Sequence, residues 1–215
     1  MSTKLTVIIS VLLIVVIFAV GAILWNQLPD QMASHWDEND QVNGYLSKFW
    51  GVFMLPLMSI GLVLLLLVVP SIDPRKTNIV KFRPFYNAFI VLFLIFMLYV
   101  HILTLLWNTG HTGFRFGAAL TPAMGLLFIF MGLMMLQAKQ NYFIGIRTPW
   151  TLASESVWNK THQLGGKLFI AAGIIALVGV FFPDQAFLLI LVPVLATALI
   201  TVVYSYLAFR WEQAE

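Results

Sequence analysis

The sequence has no cysteine, and only 10% of its 215 residues are charged. Without cysteine, disulfides contribute nothing to stability, and the redox compartment leaves no mark on the sequence. A soluble domain carries roughly 25% charged residues. A chain that is 60% hydrophobic, with a mean hydropathy of +0.92, cannot hide its apolar surface from water by folding into a globule. The sequence therefore predicts an integral membrane protein.

Six apolar runs account for most of the chain. A helix rises about 1.5 Å per residue, so about 20 residues cross the hydrocarbon core of a bilayer. The fifth run is shorter than this unless its flanks contribute. The runs span residues 5–25, 49–69, 85–107, 118–138, 168–182 and 186–209. We predict an all-α integral membrane protein, in which residues 1–215 form a single membrane domain with six transmembrane helices.

The first run has a second interpretation, as a signal peptide with Lys4 as its basic region and residues 19–21 as its cleavage site. The apolar part of a signal peptide spans only about 7–15 residues. This run is longer, which favours an uncleaved helix.

The basic residues are distributed unevenly between the two sides that six helices create. Cytoplasmic connections of membrane proteins are enriched in Lys and Arg. Ten basic residues lie on the side of the termini, and two lie on the other side. The ten are Lys4, Arg75, Lys76, Lys81, Arg83, Lys139, Arg147, Lys160, Lys167 and Arg210, and the two are Lys48 and Arg115. We therefore predict cytoplasmic N- and C-termini, and a basic surface that faces a membrane rather than nucleic acid.

Two polar segments interrupt the apolar runs. Residues 26–48, between the first two helices of region 1–70, form an acidic loop that is predicted to lie outside the cell. Residues 141–167, within region 71–215, form the longest polar segment and are predicted to be cytoplasmic. In this segment Thr151 is predicted to cap a short amphipathic helix that lies along the membrane face and ends at Gly165-Gly166.

The apolar runs contain almost no ionisable residue. His101 alone lies inside one of them. Ion-coupled transporters usually carry charge on buried acidic or basic side chains, so their absence disfavours proton- or sodium-coupled transport. For His101, a hydrogen bond at a helix interface is favoured over a proton site.

The acidic loop raises the question of a metal site. His35 and three carboxylates lie within six residues, and such ligands can bind a metal. No second histidine stands at a ligand-like spacing, so no metal is predicted. A solvated loop, with Trp36 and Tyr45 at the headgroup level, is the favoured interpretation, and recognition of a ligand by these aromatic residues is the alternative.

Glu155, Trp158 and His162 fall at positions i, i+3 and i+7, which share one face of a helix. An enzyme could use His162 as a base with Glu155 as its partner. No nucleophile is aligned with them, and no HExxH, GxSxG or P-loop pattern occurs. The pattern favours a structural or partner-docking role, and we predict no catalytic residue and no cofactor.

Two motifs resemble the SdpI family of bacterial membrane proteins. The first, in the outer loop, comprises Pro29, Asp30, His35, Trp36, Gly44, Tyr45 and Lys48. The second, in the cytoplasmic segment, comprises Asn141, Gly145, Arg147, Thr148, Pro149, Trp150, Thr151, Glu155, Trp158, His162, Gly165 and Gly166. The first motif departs from the family, which tends to have Pro, Gly and Asp where Ala33, Asp40 and Asn43 stand.

The resemblance implies a non-enzymatic, six-helix protein of the bacterial cytoplasmic membrane that confers immunity to a toxin or antimicrobial peptide. It also implies signalling, in which the protein holds a transcriptional repressor at the membrane. The expected partners are the lipid bilayer, a peptide toxin on the outer face and an ArsR-type repressor on the cytoplasmic face, with no direct contact to nucleic acid. A small-solute or lipid permease is the first alternative, and a membrane enzyme acting on lipid is the second.

Overall fold

The structure is a computed structural model that describes residues 1–214. Over these residues the chain forms seven α-helices and one antiparallel β-hairpin. In chain order the elements are α1 (Thr3–Leu24), β1 (Gln31–Trp36), β2 (Val42–Ser47), α2 (Lys48–Ile72), α3 (Lys76–Asn108), α4 (Phe116–Gln137), α5 (Pro149–Ala153), α6 (Glu155–Val178) and α7 (Ala186–Glu212). All the helices except α5 are long and apolar enough to cross a membrane, which confirms the six predicted spans.

The third span begins earlier than its apolar run, because the polar stretch before that run is already helical from Lys76. The helix is kinked at Phe82, whose φ of −119° and ψ of 16° are not helical. Pro84 follows two residues later. Proline lacks the N–H that a helix needs and its ring crowds the preceding turn, which accounts for the kink.

The all-α prediction is wrong for residues 31–47, which form the hairpin. Asn43-Gly44 is not its turn, because Gly44 lies in β2 and pairs with His35. The turn lies between the strands, where Asp37 Oδ1 accepts hydrogen bonds from the backbone N–H of Asn39 (2.9 Å) and Gln41 (2.8 Å). An aspartate that binds nearby backbone N–H groups in this way stabilises a turn locally. The acidic loop is thus an ordered element.

The predicted short amphipathic helix from Thr151 to Gly165-Gly166 is also wrong. Thr148 caps the five-residue helix α5, and Ser154 caps α6 by accepting a hydrogen bond from the N–H of Val157. The glycine pair lies inside α6, which continues to Val178. The pair does not stop the helix because it is a packing site: a Cβ on Gly166 would lie 2.8 Å from the carbonyl oxygen of Gly132 in α4. The fifth span therefore begins at Glu155.

The long helices form two groups. In one group α1 and α2 pack against α3, and in the other α4, α6 and α7 pack against one another. Contacts between α3 and α4 join the groups, and α5 lies against α6 and α7. The larger buried apolar cluster surrounds Trp158, Phe82 and Tyr86. A smaller cluster, which includes Met32 and Leu105, lies under the hairpin.

The two ends of the bundle differ. We name the end that holds residues 141–167 the motif end, and the end that holds β1 and β2 the hairpin end. At the motif end the amide of Asn87 donates to the carbonyl oxygen of Met1 (3.1 Å). Trp150 lies edge-on to Tyr206, with 5.1 Å between the ring centroids. The N-terminus and the last turns of α7 therefore lie at the same end as residues 141–167.

Candidate functional site

Trp158 and His162 are stacked at the centre of the motif end. Both side chains are buried, and their ring centroids lie 3.9 Å apart with 16° between the ring planes. The indole N–H of Trp158 donates to the carbonyl oxygen of Ala138 (3.0 Å), which follows α4. The stack therefore joins the start of α6 to the end of α4.

Both ring nitrogens of His162 are occupied. Nε2 accepts a hydrogen bond from the backbone N–H of Ile146 (3.0 Å), so the proton lies on Nδ1, which donates to the carbonyl oxygen of Trp158 (2.9 Å). Gly145 makes room for this contact: it has a φ of +110°, and a Cβ there would overlap Nε2. A general base needs a free lone pair within reach of the proton it abstracts. In this arrangement His162 holds the connecting segment in place and has no lone pair to offer.

Glu155 and Arg147 do not complete a catalytic set with His162. Glu155 is exposed in the first turn of α6, where its negative charge interacts favourably with the helix dipole. Arg147 does not fold back to Glu155, since its guanidinium donates to the carbonyl oxygen of Tyr142 (3.1 Å). No ion pair joins Arg147 and Glu155 in the structure over residues 1–214. Glu155 and His162 were predicted to share one helix face. In the structure the Glu155 side chain lies in solvent, and the His162 side chain lies in the core.

Thr148 and Thr151 hold α5 in place. Each threonine hydroxyl accepts a hydrogen bond from the backbone N–H of the other residue, which is the reciprocal arrangement of a capping box. Pro149 occupies the first helical position, where its missing N–H costs nothing. The hydroxyl of Thr148 also donates to Ser205 Oγ (2.9 Å) on α7. This pair of threonines connects the segment to the last helix.

Asn141, which the motif includes, is fully buried and organises the turn before α5. Its side-chain oxygen accepts from the N–H groups of Phe143 (2.9 Å) and Ile144 (2.6 Å). Its amide nitrogen donates to the carbonyl oxygens of Lys139 (2.8 Å) and Ile144 (3.0 Å). An amide that uses both its donor and acceptor capacity in this way fixes the backbone path around it.

Asp73, Asn78 and Gln140 were missed by the sequence analysis. Asp73 is buried, and its carboxylate accepts from the N–H groups of Arg75 (2.6 Å) and Tyr142 (2.9 Å). Asn78 donates to the carbonyl oxygen of Gln140 (2.9 Å). These contacts attach the α2–α3 connection to the motif end. In the sequence, Asp73 is followed by Pro74, a pair typical of turns, and this was the one local signal that could have pointed to the connection.

His101 is fully buried between α1 and α3, near the hairpin end. A Cβ on Gly21 of α1 would lie 3.3 Å from its Nε2, so the imidazole occupies space that only glycine leaves free. Neither ring nitrogen makes a hydrogen bond of normal geometry to residues 1–214. The predicted helix-interface position is confirmed, whereas the predicted hydrogen bond is not found.

The hairpin is attached to the bundle at two points. Asn108 exchanges two hydrogen bonds with the backbone of Ala33, at 2.7 Å and 2.9 Å. Asp40 has a φ of +61°, and its carboxylate accepts from the N–H of Gly117 (2.6 Å) in the first turn of α4. Negative charge is favourable at this position of a helix. Asn108 was not identified from the sequence, because a single amide at the end of an apolar run gives no pattern.

The aromatic motif residues of the hairpin have different environments. Trp36 stacks on Phe116, with 3.8 Å between centroids and 7° between planes, and it meets Trp107 edge-on. Tyr45 is 62% exposed. Trp36 thus belongs to the packed aromatic contact between β1 and the start of α4, and Tyr45 presents a free ring.

The remaining motif residues of the hairpin serve local contacts. His35 Nδ1 is hydrogen-bonded to the side-chain oxygen of Asn43 on the facing strand. Lys48 Nζ lies 3.6 Å from Asp30 and 5.4 Å from the centre of the Trp25 ring. Pro29 is exposed beside them. In the part of the chain that the structure describes, no three His, Asp or Glu side chains converge on a point where a metal ion could bind.

A cavity of about 440 Å³ lies beneath the hairpin, and we name it the cleft. Its walls are mostly apolar, and its mouth carries the charged residues of the hairpin turn. The wall residues include Met54 and Leu55 of α2, Leu120 and Met124 of α4, and Phe187, Ile190 and Leu191 of α7. The mouth includes His35, Trp36, Asp37, Glu38 and Asp40. This space was not predictable from the sequence, since it is created by packing between helices far apart in the chain.

Comparisons with known proteins place both motifs within matched regions. Residues 137–205 match the SdpI/YfhL protein family, and residues 12–60 match a domain of unknown function, DUF1648. The chain is 28% identical over 193 residues to the Immunity protein SdpI of Bacillus subtilis (strain 168), and the alignment covers 90% of each chain. No solved structure matches the chain. The resemblance to the SdpI family is confirmed.

Proposed function

We propose that this chain is a non-enzymatic immunity protein of the bacterial cytoplasmic membrane that protects the cell from a membrane-active peptide. The observation that carries the proposal is the similarity to the Immunity protein SdpI over 90% of the chain. That similarity includes the hairpin and residues 141–167 of the motif end. It is therefore not limited to the apolar helices.

The contacts of His162 support a role without catalysis. Both of its ring nitrogens are used by backbone groups, and Glu155 lies in solvent away from it. A structural motif end therefore accounts for these residues without a substrate. Within residues 1–214, no assembled set of reactive groups supports the alternative of a lipid-modifying enzyme.

In this proposal the hairpin faces the outside and the motif end faces the cytoplasm. Ten basic residues belong to the motif side of the bundle, whereas the hairpin side carries Lys48 and Arg115 against five carboxylates. Lys and Arg are enriched in cytoplasmic connections. An external peptide would thus meet the acidic hairpin first.

Signalling through a repressor held at the membrane is the finer part of the proposal. The motif end presents exposed groups that a protein could dock on, namely Tyr142, Phe143 and Arg147. Exposed aromatic and Arg side chains are typical of contact surfaces between proteins. The repressor expected from the resemblance, of the ArsR type, would bind here.

A permease remains the second candidate function, because the cleft offers space for a small molecule. The lining residues of the cleft all belong to the hairpin side of the helices. The motif side is filled by the cluster around Trp158 and Phe82. A transport path would have to pass through this cluster, so the structure favours binding over passage.

The proposal is tested by deleting the gene and challenging the cells with a panel of cationic membrane-active peptides. We expect the deletion strain to be killed at peptide concentrations that the parent survives, and expression of the chain to restore survival. His162→Ala should still protect once survival is normalised to the amount of folded protein in the membrane, because no catalytic step is lost.

Two outcomes would contradict the proposal. Equal survival of the deletion and parent strains across the panel would remove the immunity role. A His162→Ala protein that is fully folded and inserted, yet gives no protection, would favour the enzyme. Wild-type chain expressed from the same plasmid and membrane levels measured by blotting are the controls.

A further inference from the structure

We propose that the cleft binds an apolar peptide segment that carries a free ammonium group, either an N-terminus or a lysine side chain. The segment would place its apolar side chains between the helices and its ammonium among the carboxylates at the mouth. This inference rests on the proposed function and names the chemistry of the attacking peptide at the site where it would be held.

The cleft exists because α2 and α7 belong to different helix groups. α2 packs on α1, α3 and the hairpin, whereas α7 packs on α4, α5 and α6. The space between them is closed at the back by α3 and α4, which contribute Val100 and Leu120, and is roofed by the hairpin turn. A segment lying in the outer leaflet could therefore enter from the side, between α2 and α7.

The walls of the cleft suit apolar side chains. Met54, Phe187 and Leu191 line it and are each more than a third exposed, so they offer apolar surface that no part of the described chain covers. The volume of about 440 Å³ lies within the range of roughly 300–1,000 Å³ typical of small-ligand sites. Methionine side chains adapt their shape to different partners. The space has the size of a short peptide segment.

The mouth of the cleft carries more carboxylates than bases. Asp37 and Asp40 use carboxylate oxygens to bind backbone N–H groups, and Glu38 is exposed with no hydrogen-bond partner among residues 1–214. The two bases at this end have carboxylate partners outside the cleft, since Lys48 pairs with Asp30 and Arg115 pairs with Asp184. Arg115 also lies near enough to Asp40 to interact with its charge, which leaves Asp37 and Glu38 without a nearby base. The mouth is thus complementary to a positive charge.

The charge at the mouth also favours a peptide over a membrane lipid. Phospholipid headgroups carry a phosphate, which Asp37, Glu38 and Asp40 would repel, whereas a peptide ammonium has no negative charge beside it. Because the Debye length is about 8 Å at physiological salt, the carboxylates act only on a group that already lies in the mouth. The apolar walls must supply most of the affinity, and the carboxylates select the charge.

The test uses the full chain in phosphatidylcholine nanodiscs and a fluorescent, leucine-rich peptide that begins with lysine. Binding is measured by fluorescence anisotropy. A matched peptide, acetylated at its N-terminus and with glutamine in place of lysine, removes the charge and keeps the apolar segment. We expect the charged peptide to bind tighter than the neutral one, and Glu38→Gln to reduce this preference. Glu155→Gln, which alters an exposed carboxylate at the motif end and outside the cleft, should leave it unchanged.

The apolar part of the site is tested with two variants of α4. Leu120→Trp fills the cleft and should weaken binding by roughly tenfold or more, as expected when a central buried contact is lost. Leu126→Trp makes the same change on the same helix at a position that is 55% exposed and outside the cleft, and it should bind as the wild type does. Equal weakening by both variants, or wild-type binding by Leu120→Trp, would overturn the assignment.

Three further outcomes separate this inference from others. Displacement of the peptide by added phosphatidylethanolamine, a lipid with an ammonium group, would assign the cleft to lipid and overturn the peptide. Peptide binding that depends on Leu120 in a chain that gives no protection to challenged cells would overturn the immunity function alone. Equal affinity for the charged and neutral peptides would overturn the inference even if the cells are protected.

Discussion

Trp158 is the residue whose contacts join most of the motif end. It is completely buried, its indole N–H binds the carbonyl oxygen of Ala138, and its ring stacks on His162. Removal of a fully buried Trp side chain costs about 3–5 kcal/mol in stability. We expect Trp158→Ala to lower the thermal unfolding temperature in detergent, together with the amount of protein in the membrane.

Trp211 provides the matched control for this change. It lies near the end of α7 and is 56% exposed, so Trp211→Ala removes the same side chain without opening a cavity. Trp158→Phe should fall between the two, because it keeps most of the packing and loses the hydrogen bond to Ala138. If Trp158→Ala unfolded at the same temperature as Trp211→Ala, the motif end would not depend on this contact.

Asp40 has two structural roles that could not be recognised from its residue type, namely a positive φ and a hydrogen bond to α4. The resemblance implies glycine there, and the backbone has a φ of +61°, which glycine adopts without strain. Asp tolerates this conformation better than most residues. In this chain its carboxylate also binds the N–H of Gly117. Compared with glycine, Asp40 therefore fits this backbone conformation less easily, but it adds a hydrogen bond between the hairpin and α4.

The pairing of α4 with α6 depends on glycine at the scale of whole helices. Gly125 of α4 faces Gly173 of α6, and Gly132 of α4 faces Gly166 of α6. In each pair, a Cβ added to one glycine would contact the carbonyl oxygen of the other. Helices in lipid associate through such close backbone contacts, because lipid gives no hydrophobic driving force between them. The spacing of seven residues on both helices keeps the contact on one face over two turns.

We expect Gly132→Ala to destabilise the protein. The added Cβ would lie 2.9 Å from the backbone nitrogen of Ile170 and 2.5 Å from the carbonyl oxygen of Gly166, so the two helices must move apart. Overpacking of this kind costs about 1–3 kcal/mol. Gly61→Ala in α2 is the control, since nothing lies within 4 Å of the Cβ it would add. Thermal unfolding of both variants decides the point, and equal stabilities would show that α4 and α6 do not touch here.

The number and approximate positions of the transmembrane helices were predictable, because a bilayer fixes the length and composition of each crossing. A bilayer requires about 20 apolar residues per crossing, and the six runs coincide with α1, α2, α3, α4, α6 and α7. The start of α6 was missed because Gly165-Gly166 reads locally as a stop, and its role as a contact surface for α4 is visible only in three dimensions. The hairpin was missed because its short strands mix polar and apolar residues.

The geometry of the candidate site was not predictable from the sequence. The motif residues were identified, but their pairing was not: Glu155 and Arg147 lie apart, whereas Asn141 and His162 are held by backbone groups. Partners such as Asp73 and Asn108 come from other connections. Their contacts span long stretches of sequence, and no local pattern encodes them.

We expect the distribution of charge to set the orientation of the whole molecule. The two ends of the bundle carry the basic residues in a ratio of ten to two. Each Lys or Arg near an anionic membrane surface contributes about 1 kcal/mol of attraction. With the termini at the motif end, that end should face the cytoplasm.

Because the chain has no cysteine, single cysteines test this orientation without further changes. Asn39 in the hairpin turn and Lys160 near the start of α6 are both exposed in the structure. We expect Asn39→Cys to react with a membrane-impermeant thiol reagent in intact cells, and Lys160→Cys to react only after lysis. Labelling of both variants in lysed cells controls for access. The reverse pattern would place the hairpin in the cytoplasm, where it could not meet an external peptide, and would overturn the proposed route of protection.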